Sequence, residues 1–262
     1  MKKRCIILLC MICLGIFSSC TDFIAKEMAQ TAWDVYSSDS IILHVRPENY
    51  SIGAAPTSEE AQEILSNQEV YYDQIVSQLG NPVFSDPILI YVYNKEEALE
   101  LIGTQGGGHA VPKFNTVYYT YLPYGEEQTF TDRYGRVNPL VGAHETAHVI
   151  SHRVLGYPKT KLMSEGYANY LDGSYGRRDI HDLYDAFSAE ERLSPTQMLN
   201  YESIRESLYY PNCGVFIEYL VQEYGIAVVN ALFTLSKEEI PSHFYAKTGI
   251  TWNEMEEAYL GR

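Results

Sequence analysis

Apolar and polar positions alternate along this chain in two modes, one strand-like and one helical. Ile41-Ile42-Leu43-His44-Val45-Arg46 and Pro87-Ile88-Leu89-Ile90-Tyr91-Val92-Tyr93 are short runs rich in β-branched and aromatic residues, and each predicts a strand. Asn115 to Tyr121 predicts a third. Between the first two, Thr57 to Leu79 carries its apolar residues at helical spacing, opened by Thr57-Ser58-Glu59-Glu60 and broken by Gly80-Asn81-Pro82. Lys95 to Ile102 predicts a short helix. Beyond residue 139 the helical mode takes over, so the expected fold is α+β: a small mixed sheet followed by a helical half. No repeat, low-complexity tract or second domain interrupts it.

The helical half opens with His144-Glu145-Thr146-Ala147-His148, a complete H-E-x-x-H. On a helix, residues four apart share one face and lie about 6 Å apart along the axis, so both imidazoles reach one metal ion. Glu145 follows the first histidine and is rotated by roughly 100° from it, where a carboxylate can take a proton from water. Pro139 near the helix start, apolar flanks, and the stop signals Leu155-Gly156-Tyr157-Pro158 predict a buried helix of about four turns.

A catalytic zinc takes three protein ligands and keeps one open position. His152 lies one turn beyond His148, but ligands at i, i+4 and i+8 would span about 12 Å of straight helix, which suits a helix-end histidine better than a ligand. The extended metzincin motif needs glycine at 151 and histidine at 154, where this chain has Ser151 and Val154. The remaining candidate is Glu165, in Lys161-Leu162-Met163-Ser164-Glu165-Gly166-Tyr167-Ala168-Asn169-Tyr170-Leu171, a second helical pattern after a turn-rich connection.

H-E-x-x-H followed by S-E-G-Y-A resembles the gluzincin group of zinc metallopeptidases, in particular its small peptidase MA-like domains. The resemblance implies a zincin-like fold, one Zn2+ held by His144, His148 and Glu165, Glu145 as the catalytic base, and a peptide or protein substrate. Similar domains carry a tyrosine ahead of an apolar helix ending in Tyr-Gly. Tyr209-Tyr210-Pro211-Asn212-Cys213-Gly214 through Tyr224-Gly225 fits that pattern, with Tyr210 in the place of a tyrosine that can enter the active site and stabilise an oxyanion. Packing explains a Tyr-Tyr pair equally well. Asn169, one turn after Glu165, faces the same way and is a candidate to orient His144; Asp172, followed by Gly173, reads as a helix C-terminal residue.

Zinc peptidases of this group commonly lay substrate along a sheet edge beside the active-site helix. Here the third strand is the candidate edge, entered through Gly106-Gly107-Gly108-His109 as a flexible turn. Tyr118-Tyr119-Thr120-Tyr121 are candidates to line the groove, and His109 is a candidate substrate contact.

The beginning of the chain sets the expected compartment. Met1-Lys2-Lys3-Arg4, the apolar stretch Cys5 to Phe17 and Ser18-Ser19-Cys20 read as a signal peptide over residues 1–19. The small residues before Cys20 resemble a bacterial lipobox, although Phe17 departs from its usual aliphatic residue. The reading is a lipidated Cys20, a tether or first helix over residues 20–40, and a gluzincin-like catalytic domain over 41–262, exported and held on a bacterial membrane by lipid. Loss of the leader removes three of the five cysteines, leaving Cys213 alone in the domain and no intramolecular disulfide. A net charge of −15 argues against nucleic acid as a partner.

Two other readings compete with the enzyme. One is a catalytically silent zincin-fold lipoprotein binding peptide or glycan in a surface assembly, which the intact Glu145 does not favour. The other is a structural zinc, which usually has four nitrogen or sulfur ligands, and no nearby cysteine supplies the fourth.

Overall fold

The structure, a computed structural model, describes residues 33–47, 54–94, 96–97, 107–121, 141–175 and 178–262. The expected leader and Cys20, and most of the expected helix at Lys95–Ile102, lie outside the described residues.

Five strands form one mixed sheet: β1 (Asp34–Ser37), β2 (Ile41–Val45), β3 (Ile88–Tyr93), β4 (Gly108–Val111) and β5 (Thr116–Thr120), in the order β1-β2-β3-β5-β4. The inner strands β2, β3 and β5 pair in parallel, and each edge strand pairs antiparallel with its neighbour. Three expected strands are therefore present, and two more flank them. Residues 34–37, expected within a tether or first helix, are β1, so folded structure begins ahead of residue 41. The segment expected as a flexible turn into the third strand is β4, joined to β5 by a short 3-10 turn at Pro112–Phe114 and a left-handed Asn115. This makes β4, not the predicted third strand β5, the sheet edge.

Alternation gives the sheet two unlike faces. Ile41, Leu43, Val45, Ile88, Ile90, Val92 and Val117 point inward and are buried. Helix α1 (Ser58–Gln78) crosses from β2 to β3 and covers this face with Ala61, Ile64, Leu65, Gln68, Tyr71 and Ile75, a stripe at helical spacing. Its start is fixed by a capping box, with Glu60 N–H bound to the Thr57 hydroxyl and Thr57 N–H bound to the Glu60 carboxylate. On the outer face His44, Tyr91 and Tyr118 stand in register, their rings stacked at 4.4 and 5.6 Å between centroids.

The helical half follows as α2 (His144–Leu155), a π-helical turn (Leu162–Gly166) running directly into α3 (Tyr167–Asp172), a short hairpin of β6 (Ser174–Tyr175) and β7 (Arg178–Asp179), then α4 (Ile180–Asp185), α5 (Pro195–Leu199), α6 (Glu206–Tyr224), α7 (Ile226–Leu232), α8 (Ile240–Thr248) and α9 (Trp252–Leu260). Helix α6 is the hub, buried from Tyr209 through Leu220 apart from Tyr210 and Glu218. The π turn packs so closely on it that a Cβ at Gly166 would lie 2.9 Å from Ile217 Cγ1 and 3.1 Å from Cys213 Cβ. Phe216, Tyr219, Phe244, Trp252 and Tyr259 close the far side with ring contacts between 5.1 and 6.4 Å. Among the described residues, no helix is long and apolar enough to cross a membrane.

Candidate metal centre

The first helical residue of α2 is His144, so the helix is twelve residues long and starts later than the Pro139 signal suggested. Val141 to Ala143 are held out of the helix by contacts to α1 and α3. The Gln68 amide donates to the Gly142 carbonyl at 2.8 Å, and the Ala143 N–H donates to Asp172 Oδ1 at 3.1 Å. Helix starts leave N–H groups without intrahelical partners, and Ala143 has no capping side chain of its own; the Asp172 carboxylate supplies a partner from α3.

A second anchor sits at Thr146. Its N–H donates to the Tyr119 hydroxyl oxygen at 3.2 Å, and its own hydroxyl donates to Gln68 Oε1 at 2.8 Å. The Thr146 oxygen can then accept the Tyr119 proton, 3.3 Å away, so every donor in the chain has an acceptor. Gln68 and Thr146 are fully buried and Tyr119 nearly so. Three elements, α1, α3 and β5, thus converge on one turn of α2, the turn that carries His144 and Glu145.

His148 Nε2 lies 3.2 Å from His144 Nε2, and Glu165 Oε2 lies 3.3 Å from His144 Nε2 and 3.4 Å from His148 Nε2. Ligands bound at about 2.0–2.1 Å in a tetrahedron are about 3.3 Å apart, so all three separations fit one small ion. The donor set, two imidazoles and a carboxylate, suits a borderline cation of that kind. These three residues form a group that could hold a metal ion. Their side chains keep 21 %, 10 % and 17 % of their exposure, enough for water to reach the cluster.

Charge follows the same geometry. Burial pulls the His144 imidazole down, but the hydrogen bond to Glu165 and the negative charges of Glu145, Glu165 and Asp172 outweigh it and raise its pKa to about 9. Burial pushes Glu165 up, yet hydrogen bonds from His144 and His148 hold it well below the usual carboxylate range.

Glu165 reaches the histidines from the π turn. Such wide turns are rare inside helices and occur often at functional sites. Asn169 does not orient His144: its amide donates to the Glu165 carbonyl at 2.7 Å, while its Oδ1 is buried without a hydrogen-bond partner among the described residues. Asp172 is the last residue of α3, as its place before Gly173 suggested, and its carboxylate also accepts from the Ser174 hydroxyl. His152 lies in the last turn of α2, where burial lowers its pKa to about 4, and does not join the cluster.

Tyr210 lies inside α6 rather than ahead of it. Its ring stacks on His144 at 6.3 Å, within 14° of parallel, and its hydroxyl donates to Glu206 Oε1 at 3.3 Å. The Lys161 ammonium lies 3.2 Å from the same carboxylate oxygen and sits over the rings of Tyr201 and Tyr210. Tyr209 turns away, donating to the Met198 carbonyl at 2.8 Å. Cys213 is buried and its thiol pushed well up by that burial, which rules against a nucleophile.

Tyr119 and Tyr121 are buried on the inner face and Tyr118 is on the outer face, so these residues do not line an edge groove. His109 lies exposed on β4. Sequence reasoning missed Gln68, the anchoring role of Tyr119, which it had placed in a groove, and the second task of Asp172; the partners of all three are distant in sequence.

No protein-family model matches the chain, and no curated protein matches it.

Proposed function

We propose that the protein is a zinc metallopeptidase of the gluzincin type, with a zincin-like fold, that hydrolyses peptide bonds. The observation that carries this reading is the convergence of His144 Nε2, His148 Nε2 and Glu165 Oε2 at separations of 3.2 to 3.4 Å, with Glu145 next in the chain to the first of them. His144, His148 and Glu165 would hold the zinc. When bound, zinc supplies Lewis acidity toward a carbonyl oxygen and acidifies a water molecule.

The chain's own residues supply the rest. Glu145 takes the proton of the attacking water and returns it to the leaving amine. The Tyr210 phenol, beside His144, donates to the oxygen on which negative charge develops, exchanging its bond to Glu206 for one to the substrate. Substrate lies along β4. Thr120 N–H bonds to the Gly107 carbonyl, so by alternation Gly108 and Ala110 turn their N–H and C=O groups to the outer edge, where an extended peptide can pair. A signal peptide, lipidation at Cys20 and display on a bacterial membrane complete the proposal.

The test is metal content and turnover in three proteins. Wild type should hold one zinc per chain and cleave dye-labelled casein; Glu165→Ala should lose the zinc on dialysis; Glu145→Gln should keep it and lose turnover by about 10²–10⁴-fold. Full turnover in Glu145→Gln would remove Glu145 as the base. A folded wild type that takes up no zinc would end the reading.

A further inference from the structure

Gly108 lies on β4 opposite Tyr119, and its missing side chain would point to the inner face of the sheet, toward the start of α2. A Cβ placed there would lie 2.6 Å from Glu145 Cγ, 2.9 Å from Tyr119 Cδ1 and 3.0 Å from the Tyr118 carbonyl oxygen. Real Cβ atoms essentially never approach so closely, so something would have to move. Tyr119 is tied through its hydroxyl to Thr146, which is tied in turn to Gln68, and the Tyr118 oxygen is main chain. The parts able to yield are the Glu145 side chain and β4 itself. At neighbouring Gly107 a Cβ would meet nothing within 4 Å. The demand for glycine is therefore local to the residue that touches Glu145.

From this contact we infer that Gly108 is a positioning residue for Glu145: the bare backbone of the edge strand is the surface against which the Glu145 methylenes rest. A side chain on that surface would swing the carboxylate away from the His144–His148–Glu165 cluster. Catalytic groups act within narrow geometric limits, and a backbone wall restricts rotamers more firmly than another flexible side chain would. The same residue turns its N–H and C=O outward, so base and substrate strand would be registered on one peptide unit. This inference rests on the reading of Glu145 as the base, but the contact itself does not.

The experiment is a cycle of Gly108→Ala, Glu145→Ala and the double variant, with Gly107→Ala as control, read by thermal unfolding. Gly108→Ala should lower the Tm by roughly 4–10 °C, and in the Glu145→Ala background, where Cγ is gone, the loss should fall to less than half. An equal loss in both backgrounds would overturn the inference by placing the clash on β5. If Gly108→Ala does not fold, a folded double variant supports the inference and an unfolded one overturns it. With zinc-loaded protein and dye-labelled casein, Gly108→Ala should lower kcat about tenfold or more with KM within about twofold and zinc content unchanged. Coupled Tm values with normal kcat would refute a positioning role. Coupled Tm values in a wild type that neither binds zinc nor cleaves casein would leave the contact standing and end the peptidase reading.

Discussion

The cluster of His144, His148 and Glu165 has two flanks held by different physics. On one, α1, β5 and α3 grip the start of α2 through a buried chain of hydrogen bonds, Gln68 to Thr146 to Tyr119, with Asp172 on the Ala143 N–H. On the other, Tyr210 stacks on His144, and Lys161 and Glu206 close over its ring and hydroxyl, with the Glu206 side chain 60 % exposed. The first flank is dry, and each donor has one acceptor; losing a member strands another polar group away from water. The second is wet, and its ion pair competes with solvent. On the proposed function, the rigid flank would fix the zinc-holding residues and Glu145, and the looser flank would exchange partners when substrate arrives.

Gln68→Leu should break the comparison hardest. It removes the acceptor of the buried Thr146 hydroxyl proton and the donor to the part-buried Gly142 carbonyl, at roughly 1–3 kcal/mol in all, measured as the loss of unfolding free energy in urea. A loss under about 0.5 kcal/mol would mean that water fills the gap and the flank is not dry. Tyr210→Phe acts on the other flank and should spare stability while lowering kcat about a hundredfold with KM unchanged. An unchanged kcat would return Tyr210 to packing beside His144. Lys161→Met should have the smallest effect, under about 1 kcal/mol of stability, because its partner carboxylate is mostly in water. A larger loss would show that the wet flank is held as firmly as the dry one.

How far the sequence carried these conclusions depended on distance along the chain. Strands β2, β3 and β5 and helix α1 were legible because period, β-branching and the Thr57 cap are all local signals. The flanking strands Asp34–Ser37 and Gly108–Val111 were not: four residues each, with little apolar alternation, they exist by pairing with a neighbour. The two histidines were legible because four residues set their geometry. Glu165 needed the resemblance to a known pattern, since nothing in its own segment aims it back at α2. The bonds of Gln68 and Tyr119 to Thr146 were illegible, spanning 78 and 27 positions. Tyr210 was placed ahead of α6 by the resemblance, whereas the helix starts at Glu206 and carries Pro211 inside.

The wide turn at Leu162–Gly166 is, in chain-length terms, a surplus residue stored in a helix. Removing one residue from its first half would let the turn relax to ordinary α geometry and swing Glu165 by about 100° around the axis. Net charge and every residue of the motif would survive the deletion of Leu162 or Met163. The aim of Glu165 is thus a matter of counting, and a one-residue length change would take its carboxylate away from the two histidines while leaving H-E-x-x-H and S-E-G-Y-A intact to the eye.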